Sequence, residues 1–134
     1  MLDHISIGVS DFERSKTFYD RALRPLGITR LYADGERSDG ERSAGYGISP
    51  KAFFWIGWRD TPRMGAHIAF AAQDRATVDR FYDEAIAAGG IDNGAPGLRP
   101  NYHPGYYGAF VLDPDGYNIE AVCHSSQSVE QPER

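Results

Sequence analysis

A single cysteine, Cys123, among 134 residues leaves no partner for an internal disulfide and no thiolate cluster for a metal. That fits a reducing compartment. Positive charge is also scarce: 14 Lys and Arg stand against 19 Asp and Glu, a net charge of −5, so the electrostatic footprint of a nucleic-acid binder is missing. Long hydrophobic runs are absent too. The longest apolar block, Ala52-Phe53-Phe54-Trp55-Ile56-Gly57-Trp58, falls far short of the roughly 20 residues that cross a bilayer as a helix. Met1-Leu2-Asp3-His4-Ile5 has no basic stretch followed by an apolar one and does not look like a secretory signal. The expected setting is the cytoplasm, with neither nucleic acid nor membrane as partner. What remains, 41% apolar and 13% aromatic residues, is the composition of one ordinary globular domain. The polar, aperiodic residues 125–134 are expected to form a flexible tail.

The chain contains an internal repeat. HISIGVSDFERSKTFYDRALRPLGI (4–28) aligns without a gap on HIAFAAQDRATVDRFYDEAIAAGGI (67–91), an offset of 63, with nine of 25 positions identical. Ordinary residue usage gives roughly one or two matches by accident, so the sequence is two copies of one supersecondary unit. Module one is expected over 1–62 and module two over 63–124.

Each copy opens with period-2 alternation, the signature of a half-buried strand, at His4-Ile5-Ser6-Ile7-Gly8-Val9 and His67-Ile68-Ala69-Phe70-Ala71-Ala72. Asp11 and Asp74 then occupy N-cap positions, predicting helices over 11–24 and 74–88. Phe12, Ser15, Phe18, Tyr19, Ala22 and Leu23 form one apolar stripe, and Val78, Phe81, Tyr82, Ala85 and Ile86 the other. Beyond each helix, aromatic and β-branched residues punctuated by Gly and Pro read as three more strands. The clearest hairpin pairs 108–112 with 117–123 through Asp113-Pro114-Asp115-Gly116. The offset carries it back to 44–49 and 53–58. The expected fold is therefore α+β: two tandem βαβββ modules whose mixed sheets form a cupped half-barrel, with helices outside.

Alternation puts Asn118, Glu120 and Val122 on one face of the last strand, and turns His4, Ser6, Gly8 and His67, Ala69, Ala71 to the concave side of the opening strands. If the sheets share one half-barrel, His4, His67 and Glu120 converge. Two imidazoles and one carboxylate suit a divalent ion, Fe2+, Mn2+ or Zn2+, and leave positions for substrate. A lone strand histidine is ordinarily a satisfied buried side chain; a histidine at the same register in both copies, with a buried glutamate, points to metal.

On Leu2-Asp3-His4-Ile5, Phe18-Tyr19-Asp20 with its repeat Phe81-Tyr82-Asp83, His67-Ile68-Ala69-Phe70, and Phe110-Val111-Leu112-Asp113-Pro114-Asp115-Gly116-Tyr117-Asn118-Ile119-Glu120, the chain resembles the vicinal oxygen chelate superfamily of glyoxalase I, bleomycin-resistance proteins, fosfomycin-resistance enzymes and extradiol dioxygenases. The resemblance covers about 2–123. It implies paired modules that cup a divalent metal, with His4, His67 and Glu120 as ligands, a small substrate bound through adjacent oxygens, and a homodimer. Two departures stand out. The fourth ligand of glyoxalase I falls, by the 63-residue offset, on Gly57, which argues against strict lactoylglutathione lyase. The tyrosine that relatives often carry ten residues before the ligand glutamate is here Phe110, expected to wall the substrate site.

The loop Arg99-Pro100-Asn101-Tyr102-His103-Pro104-Gly105-Tyr106-Tyr107 gathers titratable and aromatic groups just ahead of the hairpin that carries Glu120. His103, or a hydroxyl from Tyr106 or Tyr107, is the candidate to act as acid/base or to orient substrate, with Tyr102 and Tyr106 lining the site and Arg99 pairing with an anionic substrate. The competing reading is a rigid loop whose rings only pack. Trp55, assigned the register of Asn118 and Gly57's face, is the aromatic expected to stack on substrate. The glycine-rich, charged stretch 34–43 is expected to be a mobile loop. Two functions follow: a metal-dependent enzyme of the extradiol-dioxygenase or glyoxalase kind, or a metal-free module that binds a drug or metabolite, as the bleomycin-resistance proteins do.

Overall fold

A computed structural model describes residues 2–34, 42–59 and 66–124. Most of the glycine-rich loop (35–41) and the expected tail (125–134) lie outside the described residues.

Module one runs β1 (Ile5–Val9), α1 (Phe12–Ala22), a 3₁₀ turn (Arg24–Leu26), β2 (Thr29–Asp34), β3 (Ser43–Ile48) and β4 (Lys51–Trp58). Module two runs β5 (His67–Ala71), α2 (Arg75–Ala87), the two-residue pieces β6 (Ile91–Asp92) and β7 (Gly97–Leu98), β8 (Tyr107–Leu112) and β9 (Asn118–Cys123). The first sheet has the order β1-β4-β3-β2; the second has β5-β9-β8-β6, with β7 also on β8. Each opening strand pairs parallel with the last strand of its module, and the hairpins are antiparallel. This is the expected α+β architecture of two mixed sheets, and they do not close into a barrel. The second module departs in one respect: its second strand, the counterpart of β2, is broken into β6 and β7. Among the described residues, no helix is long and apolar enough to cross a membrane.

The caps form as their residue types require. Asp11 accepts from the Arg14 N–H, and Asp74 from the Thr77 N–H. Phe18, Tyr19, Ala22, Leu23, Val78, Phe81 and Ala85 are fully buried between helices and sheets. Ile86 is the exception to the predicted stripe. It is 36% exposed, because the buried face of α2 is centred on Val78, Phe81 and Ala85 and Ile86 sits at its margin.

The modules are fastened by the Asp113-Pro114-Asp115-Gly116 turn, which grips the start of module one. Asp113 Oδ2 accepts from the Tyr19 hydroxyl at 2.5 Å, Asp115 accepts from the Ser10 N–H and hydroxyl, Arg14 donates to the Pro114 carbonyl, and the Tyr117 hydroxyl donates to the Gly8 carbonyl. Phe54 meets Phe70 edge-on at 5.4 Å beneath them.

Gly47 marks a register shift in the β3/β4 hairpin. A Cβ there would lie 2.0 Å from the Lys51 carbonyl oxygen and 2.7 Å from Ala52 Cα. Backbone atoms cannot rotate away, so Gly47→Ala is expected to cost about 2–3 kcal/mol, a fall in Tm on the order of 10 °C. Calorimetry checks it, and a variant melting within a degree or two of wild type contradicts the reading.

Candidate metal-binding site

The site grows from the β5/β9 pairing. Parallel register sets Ala69 opposite Glu120 and His67 opposite Asn118, so alternation brings His67 and Glu120 to the concave face of the second sheet. Ile68 and Phe70 go into the core on the other face. The Glu120 side chain is 1% exposed while that of His67 is 46% exposed: the carboxylate forms a floor and the imidazole an edge open to ligand.

His67 Nε2 lies 3.0 Å from Glu120 Oε1. The other carboxylate oxygen, Oε2, accepts a short hydrogen bond from the Tyr106 hydroxyl. His67 Nδ1 lies 3.2 Å from the Asn118 carbonyl, an acceptor only, which suits the tautomer with Nδ1 as donor. Both ring nitrogens thus face acceptor oxygens. The spacing suits a metal. Two ligand atoms bonded at about 2.1 Å and at right angles lie about 3.0 Å apart.

His4 resembles its counterpart in one way. Its Nδ1 is 2.8 Å from Asp3 Oδ1, and Lys51 Nζ reaches the same oxygen at 2.6 Å. Together they hold the Asp3 carboxyl below its usual range, the Lys51 hydrogen bond being the larger cause. In both histidines Nδ1 is tied to an acceptor, which leaves Nε2 as the nitrogen that would ligate a metal. Yet His4 immediately precedes β1, at the edge of the first sheet, outside the strand in which sequence alternation placed it. His4 and His67 border one groove of about 460 Å³ between the β1 and β5 edges, but among the described residues of one chain no three His, Cys, Asp or Glu side chains are grouped so as to hold an ion. The structure therefore brings His67 and Glu120 together and leaves His4 apart from them.

Pairing also relocates the fourth-ligand position. Ser6 pairs with Trp55 in module one, as Ala69 pairs with Glu120 in module two. The residue equivalent to Glu120 is thus Trp55, neither in the register of Asn118 nor displaced to Gly57 as the 63-residue offset predicts. Two extra residues between helix and hairpin in module two change the offset to 65. Gly45, opposite Trp55, makes room for it: a Cβ there would lie 2.7 Å from the indole. Trp55 stacks on Tyr32 at 5.7 Å and lines a cavity of about 490 Å³ with His4, Ser6 and Gly57. Neither glycine nor indole ligates metal, so the missing second carboxylate stands.

Of the other candidates, Phe110 pairs with Glu120 in register and lies over His67, ring centres 6.2 Å apart. The Arg99 guanidinium lies over the Phe110 ring at 5.4 Å and donates to the Ala95 carbonyl. Tyr107 faces the helix instead: its hydroxyl donates to Asp79 at 2.7 Å and Arg75 lies over its ring. Burial and that hydrogen bond push its phenol up to about 12. Strand alternation explains the direction, since Phe110 and Tyr107 are an odd number of residues apart. His103 lies 2.9 Å from His124, nitrogen to nitrogen, and edge-on to Tyr106; Tyr102, 57% exposed, packs on the same ring. Asp3, the Nδ1 partner of His4, is the contributor that sequence reasoning passed over; its adjacency to His4 was the available signal.

Paired βαβββ modules with a histidine and a carboxylate on a concave sheet face define the class, that of glyoxalase-like α+β proteins. The family model of the Glyoxalase/Bleomycin resistance protein/Dioxygenase superfamily matches residues 1–121, and the chain belongs to that superfamily. Among solved structures it is similar to a glyoxalase/bleomycin resistance protein from Albidiferax ferrireducens T118, 33% identical, with TM-score 0.74 over 92% of this chain and 98% of that one. It shares its fold with glyoxalase I from Zea mays, 21% identical, with TM-score 0.71 over 94% of this chain and 45% of that one. The same holds for a glyoxalase/bleomycin resistance protein/dioxygenase family enzyme from Burkholderia phytofirmans PsJN, 20% identical, with TM-score 0.66 over 92% and 98%. No curated protein matches the chain.

Proposed function

We propose that the chain is a divalent-metal-dependent enzyme acting on a small metabolite with adjacent oxygen atoms, extradiol-dioxygenase-like or glyoxalase-like, and that it works as a homodimer in the cytoplasm. The observation that carries the reading is the 3.0 Å contact between His67 Nε2 and Glu120 Oε1, which fits two ligands of one ion. His4 of a second copy completes the set in this reading, because His4 lies at the edge of the first sheet and the His67–Glu120 pair on the second. Exposed Leu2 and Ile5 beside the β1 edge, which among the described residues has no strand partner besides β4, supply apolar surface for that second copy. A bound Fe2+, Mn2+ or Zn2+ supplies Lewis acidity to the substrate oxygens. Phe110 walls the approach and holds the His67 ring, Trp55 offers an aromatic face on the first sheet, and Arg99 with Tyr102 and Tyr106 closes the loop side. With Trp55 in place of a second carboxylate, the proton shuttle of lactoylglutathione lyase has no counterpart, so that reaction is disfavoured.

The metal-free binding module is favoured by a different feature, namely that both Glu120 oxygens already have partners within the chain. Metal titration separates the two. Stripped protein offered Fe2+, Mn2+ and Zn2+ in turn is expected to take up about one equivalent per chain of at least one of them, and His67→Ala to lose that uptake. Uptake below about a tenth of an equivalent for all three overturns the enzyme in favour of the binding module.

A further inference from the structure

Phe110 occupies the place where a phenol near the ligand carboxylate is expected from the family resemblance, but the carboxylate is not without one. Tyr106, fourteen residues before Glu120 and outside any strand, reaches Glu120 Oε2 with its hydroxyl. Three rings box it in: Tyr102 with centres 4.8 Å apart, and His103 and His124 each at 5.3 Å, all near-perpendicular to it. His103 and His124 are joined to each other at 2.9 Å, and the Gly105 N–H donates to His103 Nδ1. The cage therefore has internal fastenings. Beneath the hydroxyl lies Gly108, where a Cβ would sit 3.1 Å from Glu120 Oε2 and 3.3 Å from the Tyr106 ring.

We infer that Tyr106 is a positioning residue: held by Tyr102, His103 and His124, it occupies Glu120 Oε2 so that Oε1, the oxygen beside His67, is the one presented to a cation. The inference rests on the proposed metal dependence. It gives the aromatic loop a role in ligand orientation, and assigns His103 to buttressing Tyr106 in place of the acid/base role expected from sequence. A fully buried carboxylate with one oxygen unoccupied can rotate; with Tyr106 on Oε2 it has one orientation, and a preset ligand binds metal more tightly than a mobile one.

The test uses the stripped full-length protein and Co2+, read by calorimetric affinity and by the visible absorption of the bound ion. Tyr106→Phe keeps the ring in its cage and removes only the hydroxyl. It is expected to weaken Co2+ binding about 10–100-fold and to shift the visible band, with the far-ultraviolet circular dichroism unchanged. Gly108→Ala, which wedges a methyl between phenol and carboxylate, is expected to weaken binding in the same direction. Affinity within twofold of wild type, in both variants, with an unshifted band overturns the positioning role and leaves the metal-dependent reading intact. Failure of wild type itself to bind Co2+, Fe2+, Mn2+ or Zn2+ overturns that reading and this inference with it.

Discussion

Mixing chains that carry His4→Ala with chains that carry Glu120→Ala is expected to restore about a quarter of the wild-type metal sites, although neither variant alone binds metal. The expectation follows from where the three side chains lie. His67 and Glu120 share the concave face of the second sheet at 3.0 Å, whereas His4 extends from the first sheet and is held by Asp3. If each site is built from His4 of one copy and His67 with Glu120 of the other, both sites of each pure dimer lack one ligand. In a mixed dimer, the Glu120→Ala chain lends its intact His4 to the intact pair of the His4→Ala chain, and one of two sites is whole. Random exchange makes about half the dimers mixed, which gives the quarter. If all three ligands come from one chain, the mixture has no complete site and uptake stays at zero. Subunit exchange by mild denaturation and renaturation, followed by Co2+ quantification, distinguishes the outcomes. Each pure variant is expected to lose at least about a hundredfold in affinity, since deleting a ligand costs at least as much as deleting the partner that orients one.

The duplication was legible because it is written in residues that fold locally: the capping aspartates, Phe18 and Phe81 in the core, and the alternation of β1 and β5. Alternation also places His67 and Glu120 on one face of the second sheet, where they meet. What the duplication misplaced was position along the strand. A change of two residues in the offset moves the equivalent of Glu120 from Gly57 to Trp55 yet leaves both on the concave side, since side chains repeat every two residues. Facing is therefore robust to such an error where register is not. Cross-strand packing fixes register: Gly45 under the Trp55 indole and Gly108 under the Glu120 carboxylate are complementary choices that no single-strand pattern contains.

The loop before β8 was legible only as a concentration of chemistry. Which of its groups turns toward Glu120 depends on where β8 begins. Tyr107 is the first residue of the strand and obeys its alternation, so it points to Asp79 and the helix. Tyr106, one residue earlier, is free of that constraint and turns toward the carboxylate. Adjacent tyrosines thus separate to opposite faces, and a strand boundary decides between them, the feature that sequence reading fixes least well. The break between β6 and β7 was likewise hidden, because two-residue pairings on a single neighbour leave no periodic signal.

Asp113→Ala is expected to destabilise the fold by about 3–5 kcal/mol, a fall in Tm on the order of 15 °C. Asp113 is 2% exposed and receives three hydrogen bonds: the Tyr19 hydroxyl on Oδ2, and the Tyr117 and Asp115 N–H groups on Oδ1 at 2.9 Å each. Alanine leaves the Tyr19 hydroxyl, on a fully buried side chain, without its acceptor and opens the turn that fastens the modules. Prior removal of the Tyr19 hydroxyl shrinks the penalty, so in a Tyr19→Phe background the same substitution is expected to cost at least about 1 kcal/mol less. The pH dependence has a definite sign. Burial is the main cause that raises the Asp113 carboxyl above the usual 3.8, partly offset by the hydrogen bonds from Tyr19, Tyr117 and Asp115. The folded state therefore holds this proton more tightly than the unfolded chain does, and the stability so conferred is full below the ordinary carboxyl value and lost as pH rises through the raised one. Asp113→Asn, which cannot ionise, is accordingly expected to compare worst with wild type in acid and to close the gap as pH climbs above 3.8. Guanidinium unfolding across that range measures it; a gap that widens toward neutral pH contradicts the burial argument.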